Sequence, residues 1–265
     1  MTVCHYDGSF KGFLCAVADC LERGDGQPEF AADGDRQAGG LFAGDMHETV
    51  TVRESAVAFR KRFVGAVSQD AFATARYAFH SRKPGIEQLL WRYFRLGFQV
   101  GGRLCQMLTE EPVYSVGRFA RQVSHEAHKF KGFVRFSEVA DGFLYARIEP
   151  QADLLTLIAP HFVERVGDRP WMIHDLRRSQ AAIFDLKSWR LVREIVLAGE
   201  PGLSEAEHEY AALWQRYFQR HAIVERHNSG LQQKHVPLRY RKHLTEFTPP
   251  RDPGGSERAM QSGAG

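Results

Sequence analysis

The chain has 265 residues, of which 43% are hydrophobic and 25% charged, with a formal net charge of +3 at pH 7. These fractions are those of an ordinary globular protein with a substantial core. No apolar run approaches the roughly 18–20 residues of a membrane span, and the first residues lack the pattern of a secretory signal, so we expect a cytoplasmic protein without membrane contact.

The first half of the chain is predicted to be mainly helical. A strand over 3–6 leads into the turn Asp7-Gly8-Ser9, where Ser9 is a candidate N-cap for a helix over 10–23. Glycine- and aspartate-rich loops follow at 24–27 and 32–40, and then a strand candidate at 48–52. Further helices are predicted over 54–67, 70–80 and 86–100.

The second half mixes helices and strands. A helix over 113–130 precedes a hairpin with strands at 133–139 and 143–149. A helix over 154–166, strands at 171–175, 181–185 and 189–193, a long helix over 205–227 and a short helix opened by Pro237 follow. Residues 248–265 are rich in proline, glycine and serine, which predicts a disordered tail.

This order of elements predicts one α+β domain over residues 1–247. Its helical N-terminal half is followed by a small antiparallel sheet, built as hairpin, helix and strands, and by the long C-terminal helix. Glycine-rich phosphate loops of the P-loop or dinucleotide type are absent from the sequence.

The four cysteines are predicted to be reduced thiols that behave as small apolar residues: Cys4, Cys15, Cys20 and Cys105. They form neither a CxxC pair nor the CxxxCxxC pattern that holds a radical-SAM cluster. We therefore expect no iron–sulfur cluster held by these cysteines, and no cofactor, in this chain.

Charge is distributed unevenly. Residues 19–48 contain eight acids against two arginines, whereas residues 214–243 contain seven lysines and arginines against Glu225 alone. Such polarity is typical of a surface that binds a polyanion, and solvated charged faces show it as well.

The helix at 113–130 has opposed apolar and basic sides. At 100° per residue the apolar residues form one stripe: Val113, Val116, Ala120, Val123, Ala127 and Phe130. The basic residues lie roughly opposite: Arg118, Arg121, His125, His128 and Lys129. Three interpretations of this basic side remain open: contact with phosphates, a metal site at His125-x-x-His128, and a purely structural role. The i, i+3 spacing disfavours metal, because the H-E-x-x-H pattern needs i, i+4.

Two further clusters carry candidate chemistry. In the run 171–178, His174 and Asp175 could serve as a base and its orienting carboxylate, and Arg177 and Arg178 could clamp a phosphate. The alternative is an Asp–Arg pair that fixes a turn. In the run 228–244, basic residues alternate with aromatic and histidine rings, which suits either a nucleic-acid backbone or a helix that packs on the body.

Seven strings in this order resemble a bacterial domain-of-unknown-function family associated with DNA metabolism and DNA repair. The strings are Tyr6-Asp-Gly-Ser-Phe-Lys-Gly-Phe-Leu14, Pro84-Gly-Ile-Glu-Gln-Leu-Leu-Trp-Arg-Tyr93, Glu126-Ala-His-Lys-Phe-Lys-Gly-Phe-Val-Arg-Phe136, Ile148-Glu-Pro150, Ala159-Pro-His-Phe162, Trp171-Met-Ile-His-Asp175 and Lys234-His-Val-Pro-Leu-Arg-Tyr-Arg-Lys-His243. The resemblance covers about residues 3–247. It implies a gene neighbour of the radical-SAM class, related in outline to spore photoproduct lyase.

Some members of that family carry a uracil-DNA glycosylase domain. This chain shows no glycosylase-like water-activating motif, so base excision is not expected. The family's string includes His128 and not His125, which further weakens the two-histidine metal reading.

The basic clusters predict a DNA-binding protein, and the resemblance implies that it is an accessory protein in DNA repair or modification, with DNA and a radical-SAM protein as partners. The predicted contact residues are Arg118, Arg121, His128, Lys129, Lys131, Arg135, Arg177, Arg178, Arg239 and Lys242. Two alternatives remain: a nucleic-acid-processing enzyme that uses His174 and Asp175, and a protein–protein adaptor without DNA affinity.

Overall fold

The computed structural model describes residues 2–33, 45–139, 142–195, 238–241 and 243–244. The chain forms two compact units: unit 1 comprises Met1–Ala127 with Gln151–Leu154, and unit 2 comprises His128–Pro150 with Leu155–Gly265. The helix predicted at 205–227 and the tail predicted at 248–265 lie outside the described residues, and a single domain over 1–247 stays a prediction. None of the described helices is long and apolar enough to span a membrane.

Unit 1 begins with a small parallel sheet and a helix. Its elements are β1 (Thr2–Tyr6), α1 (Phe10–Arg23), β2 (Glu29–Ala32) and β3 (Asp45–Glu48). The strand order is β2-β1-β3, with both neighbours parallel to β1. Helix α1 begins where the Ser9 side chain accepts a hydrogen bond from the Gly12 N–H, and it ends at Gly24, whose φ of 76° places it in the left-handed region.

Four helices complete the core of unit 1. They are α2 (Arg53–Ala66), α3 (Gln69–Phe79), α4 (Ile86–Val100) and α5 (Glu111–Phe133), with a 3-10 turn at Gly101–Gln106. Residues of α5 up to Ala127 belong to unit 1, and those from His128 belong to unit 2. The core is aromatic: the fully buried Phe63 ring packs edge-on against Phe94 and Phe98.

Unit 2 is built on a five-stranded sheet. Its elements are the end of α5, β4 (Ser137–Glu138), β5 (Leu144–Ile148), α6 (Leu155–Arg165), β6 (Trp171–Asp175), β7 (Gln180–Phe184), β8 (Trp189–Val192) and the short α7 (Leu238–Arg241). The strand order is β4-β5-β6-β7-β8. The fully buried Trp171 joins strand to helix, because its ring contacts Phe162 of α6 and stacks on Phe184 of β7.

The predicted α+β class with a helical N-terminal half is confirmed, whereas four details of the prediction are wrong. The sheet of unit 2 is mixed rather than antiparallel. Helix α6 lies between β5 and β6 and carries the chain back across the sheet, so that β6 runs parallel to β5. Residues as far as Phe133 are helical, which shortens the strand predicted at 133–139 to Ser137–Glu138. The strand predicted at 48–52 lies at Asp45–Glu48, and the sequence patterns missed β2.

Candidate nucleic-acid interface

Helix α5 has the two opposed sides that its sequence predicts. All six residues of the apolar stripe, from Val113 to Phe130, are buried. On the other side Arg118, Arg121, His125 and His128 are exposed, and Lys129 is half-buried. Burial of one side therefore holds the helix in place while the cations face solvent.

The acid within this basic stretch, Glu126, has a defined structural role. Its two carboxylate oxygens accept hydrogen bonds from the backbone N–H groups of Gln151 and Ala152, both at 2.9 Å. The carboxylate thus anchors the segment Gln151–Leu154 to helix α5 within unit 1. A negative charge held by two backbone donors is fixed in direction, unlike a mobile surface glutamate.

A groove of about 740 Å³ lies between α3 and α5 in unit 1. We call it the α3–α5 groove, and its lining residues are Asp70, Ala73, Thr74, Tyr77, Leu108, Val113, Tyr114, Gly117, Ala120, Arg121 and Ser124. Tyr114 is 52% exposed, and the half-buried Tyr77 offers a second ring. Asp70 is the acid of this lining and Arg121 its cation, so the groove combines ring faces with one charge of each sign.

Arg118 extends the basic character of α5 beside the groove. Its guanidinium carbon lies 5.9 Å from the Tyr114 ring centroid and 4.9 Å from that of Phe119. A guanidinium that lies over rings keeps its hydrogen-bond donors for an outside ligand. Aromatic rings next to guanidinium groups are the combination that contacts bases and phosphates of single-stranded nucleic acid.

In unit 2 the predicted basic residues fall into different environments. His128 is exposed, and Lys129 and Lys131 are half-buried. Arg135 is also half-buried, and its Nη1 donates to the carbonyl oxygens of Gly132 and Val134 at the end of α5. This arginine therefore stabilises the helix C-terminus, where a positive charge complements the helix dipole.

His174 lies on β6 with its ring buried. Its Nδ1 is 2.9 Å from the hydroxyl oxygen of Tyr145 on β5. Burial, followed by the charge of Arg147, lowers the pKa of His174 below its ordinary value. This shift favours the neutral ring, which is the state in which a histidine can accept a proton.

Asp175 has partners other than His174. The fully buried carboxylate accepts from the backbone N–H of Arg177 at 3.0 Å and from Nη1 of Arg178 at 2.9 Å. Arg178 also donates to the carbonyl oxygen of Pro150 at 3.1 Å. Asp175 and Arg178 thus fix the turn between β6 and β7, whereas Arg177 is exposed.

The remaining predicted residues complete the comparison. Arg239 lies in α7, but its side chain and the whole of Lys242 lie outside the described part of the chain. His125 and His128 do not belong to a group of three or more potential metal ligands among the described residues. A shared phosphate-binding track for all ten residues stays a prediction.

Sequence patterns missed an ionic cluster around the buried Asp153 in unit 1. The Arg82 guanidinium donates to Oδ2 of Asp153 from Nε at 3.2 Å and from Nη2 at 2.9 Å, and Nη2 also donates to the Gly8 carbonyl oxygen at 3.1 Å. Nδ1 of the buried His80 lies 3.8 Å from the same Oδ2. Burial alone would raise the pKa of Asp153, but its interactions with His80 and Arg82 together lower it well below its usual range.

This cluster joins three separate pieces of unit 1. It links the turn after β1, the end of α3 and the segment Gln151–Leu154. Arg82 adopts a left-handed backbone with φ of 50°, an uncommon conformation for a residue with a side chain. Because Arg82 and Asp153 are 71 positions apart, no local spacing could have revealed the pair.

A match to one known protein family covers most of the residues that the structure describes. A model of a domain of unknown function, DUF4130, matches residues 84–246, which is more than half of the chain. No curated protein matches this chain. The matched range begins just before α4 and includes α5, the sheet of unit 2 and α7. The chain therefore belongs to the DUF4130 family, a domain of unknown function.

Proposed function

We propose that this protein binds DNA as an accessory protein in DNA repair or modification and acts with a radical-SAM partner. The observation that carries the proposal is the pair of exposed arginines, Arg118 and Arg121, beside the tyrosine-lined α3–α5 groove. The radical-SAM partner and the repair context rest on the resemblance of the seven ordered strings.

Phosphate contact is the first step of the argument. Arg118 and Arg121 are exposed and three positions apart on one helix, so they lie side by side on its surface. Neither forms an ion pair with another described residue. Guanidinium groups bind phosphate oxygens with two parallel hydrogen bonds, and binding releases condensed counterions from the nucleic acid.

The groove adds a preference for unpaired bases. Tyr77 and Tyr114 present aromatic rings in the same concavity as Arg121. An unpaired base can rotate out of the base stack and stack on such a ring, whereas a base inside a duplex is already stacked on both faces. Single-stranded DNA is therefore the preferred ligand of this surface.

The test is the salt dependence of DNA affinity. Anisotropy of a labelled single strand and of its duplex is followed in the intact protein and in an Arg118→Gln/Arg121→Gln variant. Each phosphate contact on single-stranded DNA contributes about 0.7 to the slope of log K against log salt. The double variant should lower that slope by about 1.4 and weaken all sequences alike.

Arg53→Gln is the matched control, because Arg53 is an exposed arginine of unit 1 on a different helix, α2. It should leave the slope unchanged. No binding at low salt, a flat salt dependence, or equal losses in both variants would contradict the proposal. Co-purification with a radical-SAM protein that survives nuclease treatment, in a protein without DNA affinity, would favour the adaptor function instead.

A second candidate function is catalysis on a nucleotide with His174 as the base. The buried ring, its lowered pKa and its hydrogen bond with the Tyr145 hydroxyl favour this candidate. His174→Ala should then abolish turnover on damaged DNA while affinity stays within a few-fold. An unchanged rate would count against an enzyme.

A further inference from the structure

Two cysteines of unit 1 meet between the central strand of the small parallel sheet, β1, and helix α1. Cys4 lies on β1 and Cys20 on α1, both are fully buried, and their Sγ atoms are 3.0 Å apart. The other two cysteines differ: the buried Cys15 thiol donates to the Val52 carbonyl oxygen at 3.3 Å, and Cys105 is exposed. Cys4 and Cys20 are thus a sulfur pair in direct contact.

Arg23 covers this pair from the surface. Its Nη2 donates to Sγ of Cys4 at 3.2 Å and to Sγ of Cys20 at 3.4 Å. The same nitrogen donates to Oδ2 of Asp25 at 2.8 Å. Because the Arg23 side chain is 32% exposed, the two sulfurs lie one side chain below solvent. Movement of this single flexible side chain would expose them to a small reagent.

The two sulfurs and the Asp25 carboxylate are also possible metal ligands, but the position of Arg23 argues against a metal site. The Cys4 and Cys20 sulfurs and an Asp25 oxygen lie within 4.8 Å of one another. A closed zinc site needs four ligands, and here a guanidinium contacts all three groups. A bound cation would have to displace the Arg23 guanidinium, which already donates hydrogen bonds to these three groups.

The surroundings give the two sulfurs different properties. The hydrogen bond from Cys20, together with the charge of Arg23, lowers the pKa of Cys4 below its ordinary value. The hydrogen bond to Cys4 and burial raise the pKa of Cys20. Thiolates next to arginine are the reactive form of cysteine. Nη2 of Arg23 lies nearer to Sγ of Cys4, at 3.2 Å, than to Sγ of Cys20, at 3.4 Å, so Cys4 is the nucleophile and Cys20 its neighbour.

We propose that Cys4 and Cys20 form a redox-active pair that a peroxide converts into a disulfide. This inference is independent of the DNA-binding function proposed above. It rests on the contact between the sulfurs, on their shared guanidinium and on the position of Arg23 between them and solvent.

The reaction balances with hydrogen peroxide as the oxidant. The Cys4 thiolate attacks one peroxide oxygen, the O–O bond breaks, and hydroxide leaves, which produces a sulfenic acid on Cys4. The Cys20 sulfur then attacks the Cys4 sulfur, the S–O bond breaks, and water leaves with the Cys20 proton. In sum, two thiols and one peroxide become one disulfide and two waters.

Arg23 assists both steps. It stabilises the Cys4 thiolate in the first step. Once Cys4 is a neutral sulfenic acid, the negative charge that raised the pKa of Cys20 is gone and Arg23 can stabilise Cys20. An S–S bond is about 2.04 Å long, so closure needs the sulfurs to approach by only ~1 Å. The bond would tie β1 to α1 across the turn Asp7-Gly8-Ser9.

The experiment counts thiols before and after peroxide treatment. In a Cys105→Ser background the folded protein is treated with hydrogen peroxide and then unfolded in the presence of an alkylating reagent. The mass of the intact protein is measured by mass spectrometry. We expect three alkylated thiols before treatment and one after it, with a Cys4–Cys20 linked peptide on digestion. The disulfide should raise the thermal midpoint by roughly 5–10 °C, and reduction should reverse the shift.

Three variants separate the roles of the residues. Cys20→Ser should stop at a Cys4 sulfenic acid that a dimedone probe traps. Arg23→Gln should slow oxidation several-fold, because the thiolate loses its cation. Cys15→Ser is the matched control, since it removes a buried cysteine outside the pair and should leave the linked peptide unchanged.

Two results would overturn the proposal. One is retention of all three thiols in folded protein under peroxide that oxidises a reference dithiol. The other is binding of one equivalent of Zn²⁺ by the reduced protein that is lost in Cys20→Ser, which would assign the residues to a metal site. Circular dichroism of each variant checks that it is folded. Where a cysteine variant unfolds, the slower oxidation expected of Arg23→Gln, which keeps both cysteines, still tests the proposal.

Discussion

The ionic cluster of unit 1 gives the sharpest stability prediction, the effect of Asp153→Asn. The wild-type carboxylate is only 5% exposed and accepts two hydrogen bonds from a charged guanidinium. Removing one partner of a buried ion pair costs about 3–5 kcal/mol. Arg82 is 31% exposed and regains water, and asparagine keeps one oxygen acceptor, so we expect a loss of about 2–3 kcal/mol in the free energy of unfolding.

The assay is urea unfolding at pH 7, read by far-ultraviolet circular dichroism. Asp19→Asn is the control, because Asp19 is an exposed carboxylate whose Oδ2 lies 3.7 Å from Nε2 of the partly exposed His47, and its loss should cost less than about 0.5 kcal/mol. Arg82→Gln completes a double-mutant cycle with Asp153→Asn, and the coupling between the two should exceed about 1 kcal/mol. Equal losses at Asp153 and Asp19, or a coupling near zero, would refute the reasoning.

The same pair should control acid stability. The pKa of Asp153 is lower in the folded protein than its unfolded value of about 3.9. The unfolded chain then binds more protons in acid, so the contribution is full above pH ~4 and declines as the pH falls further. Asp153→Asn should therefore lose less stability than the wild type between pH ~4 and pH ~2, and parallel curves would contradict the assignment.

Two further predictions concern packing and titration. Gly97→Ala should destabilise unit 1 by about 1–3 kcal/mol in urea unfolding, because a Cβ there would lie 2.7 Å from Cε2 of the buried Phe63. Gly65→Ala, with nothing within 4 Å, should instead stabilise α2 by about 0.5–1 kcal/mol, and a loss at both positions would contradict the packing argument. Arg147→Met should raise the pKa of His174, measured from its ring proton shifts by NMR, because it removes a like charge, and an unchanged titration would disprove that coupling.

Helix α5 shows what periodicity can predict. Its apolar stripe recurs at helical spacing over five turns, so the buried and exposed sides followed from the sequence. The short strand β2 shows the opposite case. Its four residues form half of a βαβ pairing with β1, and a pattern of that length is too short to distinguish from a loop.

The direction of the strands in unit 2 depended on a connection rather than on a pattern. The predicted positions of β5 to β8 are close to the observed ones, and β4 is shorter than predicted. The order of hairpin, helix and strands nevertheless indicated an antiparallel sheet. Helix α6 between β5 and β6 is the crossover that a parallel pair requires. The ionic cluster of Arg82 and Asp153 was beyond prediction for a similar reason, since tertiary folding alone brings residues so distant in sequence together.

The dipeptide His174-Asp175 shows why adjacency in sequence is weak support for a catalytic pair. Successive side chains of a strand point to opposite faces of its sheet. His174 accordingly shares its face with Arg147 and contacts Tyr145, whereas Asp175 binds Arg177 and Arg178 in the next turn. A base on this strand would therefore take its orienting group from β5 rather than from its neighbour in the chain. Tyr145→Phe should then affect any His174-dependent activity more than a change at Asp175 that preserves the turn.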